Sequence, residues 1–179
     1  MNTKKLKQLV LDLAIHGKLV PQDPNDEPAS ELLKRIVETH GRASNIGRAS
    51  NKKSAISSDK IDEVPFEVPE GWVWCKVTDI LSKITDGTHH SPTNLSQGEY
   101  MYITAKNIKP HGVDLTDVTY VDKATHDEIY ARCNPEFGDI LYIKDGATTG
   151  IACINKLKEP FSLLSSVALL KPSKFVENR

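Results

Sequence analysis

The sequence predicts an α+β protein, in which an N-terminal helical segment precedes a β-rich domain with small helices. Two observations support this fold class. Apolar residues within positions 1–40 recur with the period of an amphipathic helix. From residue 64 on, short runs of β-branched and aromatic residues lie between turn-forming Gly, Pro, Asn and Asp, which is typical of strands. The 179 residues suffice for one domain with a real core and some appended structure.

Two helices are expected in the N-terminal segment, at residues 4–16 and 27–39. The apolar stripe of the first consists of Leu6, Leu9, Val10, Leu13 and Ala14. Gly17 is its expected stop. The stripe of the second consists of Ala29, Leu32, Leu33, Ile36 and Val37. An N-cap at Asn25 or Asp26, Pro28 in the first turn and an end at Gly41 are expected for this helix.

Residues 41–63 are expected to form a flexible linker, and residues 64–179 a β-rich domain. The pentapeptide GRASN occurs twice, at 41–45 and 47–51. Its Ser, Asn, Gly and Lys content favours a tolerant linker, while a basic arm that touches phosphate is the alternative. Strands are expected near Trp72–Trp74 and at 99–104, 118–121, 139–144, 151–155 and 161–171. Thr125 and Glu128 fit a T-x-x-E capping box, which predicts a short helix.

Charge, cysteine content and hydropathy limit the class of protein. The net charge is −1; residues 1–60 carry 11 Lys and Arg against 7 Asp and Glu, and residues 61–179 carry 12 against 17. Bulk charge therefore gives no support for nucleic-acid binding by the second part. Cys75, Cys133 and Cys153 are widely spaced, which favours small apolar fillers over disulfides or zinc ligands. No apolar run approaches the length of about 20 residues that a membrane-spanning helix needs. The N-terminus is first basic and then apolar, but Asp12 interrupts the apolar run, which argues against a signal peptide. A cytoplasmic protein is therefore expected.

The motif DGTHHSPT at 86–93 has the residue types of a metal or catalytic site. Adjacent histidines on an extended segment point to opposite faces, so His89 and His90 are poorly placed to share an ion.

NPEF at 134–137 lacks the second proline of an adenine methyltransferase motif, and no glycine-rich turn for a methyl donor is found. None of the 18 lysines has an acid two positions upstream, as one nuclease class requires. Neither G-x-S-x-G nor a P-loop motif occurs. We therefore expect no catalytic residues, no bound metal and no cofactor.

Three polar loops remain as candidate sites: DGTHHSPT (86–93), AKNIKPHG (105–112) and KDGATTG (144–150). Each combines amide or hydroxyl groups with a histidine or lysine, and such side chains can contact base edges or phosphate oxygens. Glycines permit close approach of the backbone. The alternative is that the loops are ordinary solvated turns.

Five segments resemble the specificity subunit of type I restriction–modification enzymes. They are LKQLVLDLAIHGKLVPQDPNDEPASELLKRI (6–36), PEGWVWCKVTDI (69–80), ITDGTHHSPT (84–93), YITAKNI (102–108) and FGDILYIKDGATTGIACI (137–154). The linker departs from the family, where a charged helical extension is expected in place of the GRASN repeat. The resemblance covers most of the chain.

The resemblance implies a non-catalytic target recognition domain led by subunit-docking helices, in a half-subunit or a piece of a longer subunit. A full specificity subunit reads a split site with two such domains and docks methyltransferase subunits, through which the restriction subunit joins. The implied partners are double-stranded DNA and these subunits, with a second copy of the chain only in the case that it is a half-subunit; no membrane is implied.

From side-chain type, the expected DNA contacts are Thr88, His89, His90, Thr93, Lys106, Asn107, Lys144, Thr148 and Thr149. The lysines are expected at phosphates, and Asn107 at an adenine edge. At most one of the two histidines is expected to face DNA, whereas Trp72 and Trp74 are expected to pack in the core. A scaffold that only assembles subunits is the alternative, and a hydrolase with a metal at His89 and His90 is the third.

Overall fold

The computed structural model describes residues 2–43 and 64–177 of the chain, and the side chains of α2 up to residue 39. It confirms the α+β class. Within these ranges the helices are α1 (Thr3–Ile15), α2 (Ala29–Ala43), α3 (Val77–Ile80) and α4 (Lys123–Arg132). The strands are β1 (Leu81–Asp86), β2 (Tyr100–Ile103), β3 (Ile108–Lys109), β4 (Gly112–Val113), β5 (Thr119–Val121), β6 (Ile140–Ile143), β7 (Ala152–Ile154), β8 (Phe161–Leu163) and β9 (Val167–Pro172). The duplicated GRASN lies almost wholly outside the described residues.

The chain forms two compact units, residues 1–80 and 81–179. Segment 64–80 thus belongs to the same unit as the N-terminal helices, and all three β-sheets belong to the second unit. The predicted functional boundaries, with a recognition domain from residue 64, stay a prediction. Among the described residues, no helix is both long enough and apolar enough to span a bilayer.

In the first unit, α1 ends at Gly17, as expected from the sequence. Gly17 adopts φ +63°, and its amide donates to the Ala14 carbonyl at 3.0 Å. A Cβ at Gly17 would lie 2.3 Å from Cγ of Pro69, so segment 64–80 passes close to this helix end. The apolar stripe of α1 stays largely uncovered, since no residue of α1 is buried and Leu9 is 56% exposed.

Two details of the first unit differ from expectation. Helix α2 begins after Pro28, whose carbonyl accepts the Leu32 amide at 3.4 Å, so Asn25 and Asp26 lie too far upstream to be its N-cap. It also continues past Gly41 to Ala43, because one glycine lowers helix propensity without forbidding the conformation. Its buried face is anchored by Ile36, which is 1% exposed.

Trp72 and Trp74 do not lie on a strand, which corrects the sequence expectation. The Trp72 indole donates to Oε1 of Gln22 at 2.7 Å, and the Trp74 indole donates to the Phe66 carbonyl at 3.1 Å. Trp74 is half-buried and its ring meets the Phe66 ring edge-on, with centroids 5.0 Å apart. Trp72 remains 44% exposed, so only Trp74 packs in the manner expected of a core tryptophan.

The second unit contains a four-stranded sheet in the order β1-β9-β6-β7 and a three-stranded sheet in the order β5-β2-β8. The four-stranded sheet is antiparallel, while β2 pairs in parallel with β8. A small hairpin, β3-β4, completes the unit. Because β1 and β6 both run antiparallel to β9, they are parallel to each other. Their C-terminal ends therefore lie at the same end of the sheet.

Side chains of both sheets form one apolar core. Phe161, Leu163, Leu141, Ile143 and Leu169 are all fully buried. Burial of one such side chain stabilises the fold by about 1.5–3 kcal/mol. Cys133 and Cys153 belong to the same core, which confirms these two as apolar fillers, and burial raises the pKa of the Cys133 thiol to about 11.

Most of the predicted strands of the second unit are confirmed, but the short strands β3 and β4 were not predicted. The run 161–171 contains two strands, β8 and β9, separated by a turn at 164–166. Strand β1 was not predicted from the sequence, because LSKITD alternates too weakly in hydrophobicity. The T-x-x-E capping box is wrong: α4 begins three residues earlier, and its N-cap is Asp122, whose Oδ1 accepts the Thr125 amide at 2.8 Å.

The buried His126 on α4 makes stability depend on pH. Its ring stacks on Tyr100 at 3.9 Å between centroids, and its Nδ1 lies 2.9 Å from Oγ of Ser162. Burial disfavours the imidazolium and lowers the pKa of His126 below its ordinary 6.5. The native state therefore binds fewer protons than the unfolded state between the two pKa values. This contribution is complete above pH 6.5 and is lost as the pH falls through the folded-state pKa.

We expect the free energy of unfolding to fall between pH 7 and pH 5 by up to about 1.4 kcal/mol per pH unit from this residue. In the variant His126→Gln, which cannot titrate, the fall is expected to be shallower. Urea unfolding followed by circular dichroism at several pH values measures the difference. Parallel pH profiles of the two proteins would show that His126 does not titrate in this way.

Candidate nucleic-acid interface

Two of the three predicted loops lie together. Loop 86–93 leaves the C-terminal end of β1 and loop 144–150 leaves the C-terminal end of β6, and both are held by the turn 164–166 between β8 and β9. The Ser165 amide donates to the Thr88 carbonyl at 2.9 Å, and the Lys144 amide donates to the Ser166 carbonyl at 3.0 Å. Residues 86–93, 144–150 and 164–166 together are called the loop end below.

Gly87 is the point at which the loop end is fixed to the core. Its backbone is buried against β8, and a Cβ built on it would lie 1.9 Å from the Leu163 carbonyl oxygen. The next amide, of Thr88, donates to that same oxygen at 2.8 Å. The glycine of DGTHHSPT is therefore required by close approach to a neighbouring strand of the same chain.

Asp86 is the centre of the charges at the loop end. Its Oδ1 accepts from Nη1 of Arg132 at 2.9 Å, and its Oδ2 lies 3.1 Å from Nε2 of His89 and 3.6 Å from Nζ of Lys144. The carboxylate is only 20% exposed. Partial burial opposes its ionisation, but hydrogen bonds from Arg132 and His89 hold the pKa of Asp86 below its ordinary value. The carboxylate is thus charged at neutral pH.

The remaining predicted residues of the loop end are mostly exposed. His89 turns toward Asp86, while His90 is exposed and binds Oγ1 of Thr88 through its amide at 3.2 Å. Thr93, Thr148 and Thr149 are exposed, and the Thr149 hydroxyl donates to the Gly146 carbonyl at 2.7 Å. Lys144 is also paired with Asp145, and this hydrogen bond raises its pKa, so its ammonium keeps its charge.

The third predicted loop, 105–112, is largely ordered structure. It contains a 3-10 turn at Ala105–Asn107 and the β3-β4 hairpin. Lys106 is 47% exposed and pairs with Asp117 at 2.7 Å. The turn follows β2, whose Ile103 carbonyl accepts the Leu164 amide at 3.0 Å, so it starts beside the loop end.

Asn107 contradicts the expected adenine contact. Its side chain is 2% exposed. The Oδ1 atom accepts the Thr104 amide at 3.1 Å, and Nδ2 donates to the carbonyls of Asp114 and Asp117 at 3.0 and 3.1 Å. An amide with these bonds has no donor–acceptor pair left for a base edge. Asn107 supports the loop from inside, so it is not carried into the proposal below.

Arg132 at the end of α4 was missed by sequence reasoning. It donates to both Asp86 and the Gly87 carbonyl, 46 and 45 residues away. No local motif marks such a contact, since the pairing depends on how α4 packs against β8. The only available signal was composition, because Arg132 is the single arginine between residues 81 and 178.

The structure also contains a serine–histidine pair, His126 and Ser162. Both are buried, with Ser162 at 0% exposure, and a substrate cannot reach the hydroxyl. Their contact is a packing interaction between α4 and β8. Among the described residues, no three or more His, Cys, Asp or Glu side chains are grouped so as to hold a metal ion.

The fold and the loop end are those of a β-rich module that presents polar loops at one end of its four-stranded sheet. No protein-family model matches the sequence. The chain is 39% identical over 173 residues, 93% of its length, to the type I restriction enzyme EcoAI specificity subunit of Escherichia coli. It is 52% identical over 79 residues, 44% of its length, to the EcoEI specificity subunit of the same organism.

The predicted resemblance to type I restriction enzyme specificity subunits is thereby confirmed over 93% of the chain. The matches cover 28% of the EcoAI subunit and 13% of the EcoEI subunit. The chain therefore spans less than a third of the length of the curated relatives it matches.

Proposed function

We propose that the chain is a sequence-specific DNA-recognition component of a type I restriction–modification complex. In this role it reads one part of a bipartite site and directs methyltransferase and restriction subunits to it. The main observation in support of the proposal is that loops 86–93 and 144–150 lie together at one end of the four-stranded sheet. Together they present exposed hydroxyl and imidazole groups and the partly buried ammonium of Lys144, which can contact base edges and phosphates.

The charge of the second unit fits a reader that does not bind DNA by bulk attraction. Residues 81–179 carry 11 Lys and Arg against 12 Asp and Glu. Non-specific affinity for DNA comes mainly from neutralised phosphates. In our proposal the methyltransferase subunits supply most of that attraction, the methyltransferase and restriction subunits supply the chemistry, and this chain supplies discrimination.

The first unit is proposed to dock the methyltransferase subunit. Helix α1 exposes Leu6, Leu9 and Val10 of its apolar stripe, and an uncovered apolar stripe on a subunit is a candidate for burial against a partner. The restriction subunit would join through the methyltransferase, and a second copy of this chain would supply the other half of a bipartite site. Such a complex acts on cellular DNA, which places the chain in the cytoplasm.

The test is a map of methylated adenines after co-expression of the chain with the methyltransferase subunit of its own system. We expect one bipartite sequence to be methylated. The triple variant His89→Ala, His90→Ala, Thr93→Ala, at exposed positions of loop 86–93, is expected to lose or alter one half of that sequence. Contact with each base pair is worth about 1–3 kcal/mol, so two lost contacts suffice to abolish selectivity there.

The matched control is the triple variant Lys156→Ala, Lys158→Ala, Glu159→Ala. These exposed residues follow β7, whose C-terminal end pairs with the start of β6. They therefore lie at the end of the sheet opposite to the loop end. The control should methylate the original sequence. If the loop variant does so too, recognition lies elsewhere. That result would favour the alternative of a scaffold that only assembles subunits, for which the exposed stripe of α1 is the supporting observation.

A further inference from the structure

Arg132 combines exposure with a fixed orientation. Its guanidinium has five N–H donors. Nη1 donates to Oδ1 of Asp86 and Nη2 to the carbonyl of Gly87, on consecutive residues at the end of β1. The side chain is nevertheless 52% exposed. Within residues 2–43 and 64–177 it has no further hydrogen-bond partner, so three N–H donors remain in a fixed plane at the loop end.

The charge around this group is balanced. Arg132 and Lys144 carry two positive charges, and Asp86 and Asp145 carry two negative charges within the same set of contacts. His89 adds charge only when protonated. A phosphate would meet little net attraction here, since each cation already has a carboxylate partner. The cluster therefore supplies directed donors without a net charge.

We propose that Arg132 is a specificity-determining residue that reads a guanine, and that Asp86 is the residue that positions it. Guanine presents O6 and N7 side by side in the major groove, and a fixed guanidinium edge pairs with both. This inference rests on the proposed function and deepens it, because it names one base and one side chain. An arginine side chain whose guanidinium is already held by a carboxylate also loses less conformational entropy on binding than an arginine that is free to move.

The experiment uses the full chain in complex with its methyltransferase partner. Binding is measured for duplexes in which each position of the recognised sequence is replaced by the other three bases. For the wild type, we expect guanine to be preferred at one position. In Arg132→Lys and Arg132→Gln, discrimination at that position should fall about tenfold or more, while discrimination at the other positions is unchanged.

The matched control is Lys123→Gln. Lys123 lies on the same helix as Arg132, is 67% exposed and also pairs with a carboxylate, Asp127. It should leave all base preferences unchanged. A loss of affinity in the Arg132 variants that is equal for all sequences, with a weaker dependence on salt, would identify a phosphate contact and overturn the proposal. Unchanged selectivity in these variants would also overturn it.

Asp86→Asn separates positioning from general damage to the fold. The substitution removes one negative charge, so affinity for unrelated DNA should rise and its salt dependence should steepen. At the same time, discrimination at the guanine position should fall. A fold defect would lower both affinities together, which contradicts the positioning role. If the wild-type complex itself shows no sequence preference, the proposed function fails, whatever the variants do.

Discussion

The variant Gly87→Ala is expected to lose about 3 kcal/mol of unfolding free energy and, with it, recognition of the target sequence. The added methyl would lie 1.9 Å from the carbonyl oxygen of Leu163 and 2.1 Å from its carbonyl carbon. Both are backbone atoms of a core strand and cannot move away at low cost. The loop must shift instead, which breaks the bond from the Thr88 amide to that oxygen.

Urea unfolding followed by circular dichroism measures the loss, and hydrogen exchange locates it. We expect faster exchange at the amide of Thr88, which holds the loop to β8, and at the amide of Ser165, which holds it to the turn. The control is Ser91→Ala in the same loop, an exposed position where stability should change by no more than about 0.5 kcal/mol. A Gly87→Ala protein as stable as the wild type would mean that the loop does not approach β8 this closely.

The variant Asn107→Ala is expected to destabilise the second unit by about 3 kcal/mol without changing which DNA sequence is preferred. It removes the donor for the carbonyls of Asp114 and Asp117 and the acceptor for the Thr104 amide. A buried polar group that loses its partner costs about 1–3 kcal/mol. The 3-10 turn and the segment that leads to β5 would lose their common anchor.

The neighbouring variant Lys106→Ala is the control for Asn107. It removes only an exposed ion pair with Asp117, and such pairs contribute about 0–1 kcal/mol. Unfolding free energies and base preferences of both variants should be measured in parallel. Should Asn107→Ala keep its stability and instead relax the preference for adenine at one position, the side chain would be a base reader after all.

The fold class was accessible from the sequence because it depends on local pattern. The stripe of α1 and the apolar runs at β2, β5, β6 and β7 carry their own period. Strand β1 escaped prediction because its alternation is weak and its stability comes from pairing with β9, more than 80 residues away. The start of α4 was misplaced because Asp122 competed successfully with Thr125 for the N-cap.

The candidate site was only partly accessible. Side-chain chemistry identified loops 86–93 and 144–150, but their contact depends on β1 and β6 both pairing with β9, which no local signal encodes. Asn107 was misjudged because an amide has the same chemistry whether it is buried or exposed. Arg132 was missed because its partners are 45 and 46 residues away.

The central position of β9 has a consequence for the order of folding during synthesis. The ribosome releases β1 and β6 well before Val167–Pro172, and although β6 can pair with β7 earlier, neither β1 nor β6 can pair with β9 until that strand emerges. Chain growth proceeds at about 5–20 residues per second. We therefore expect the loop end to assemble as one of the last steps, so that a nascent chain gains selectivity only after nearly all of these 179 residues have been translated.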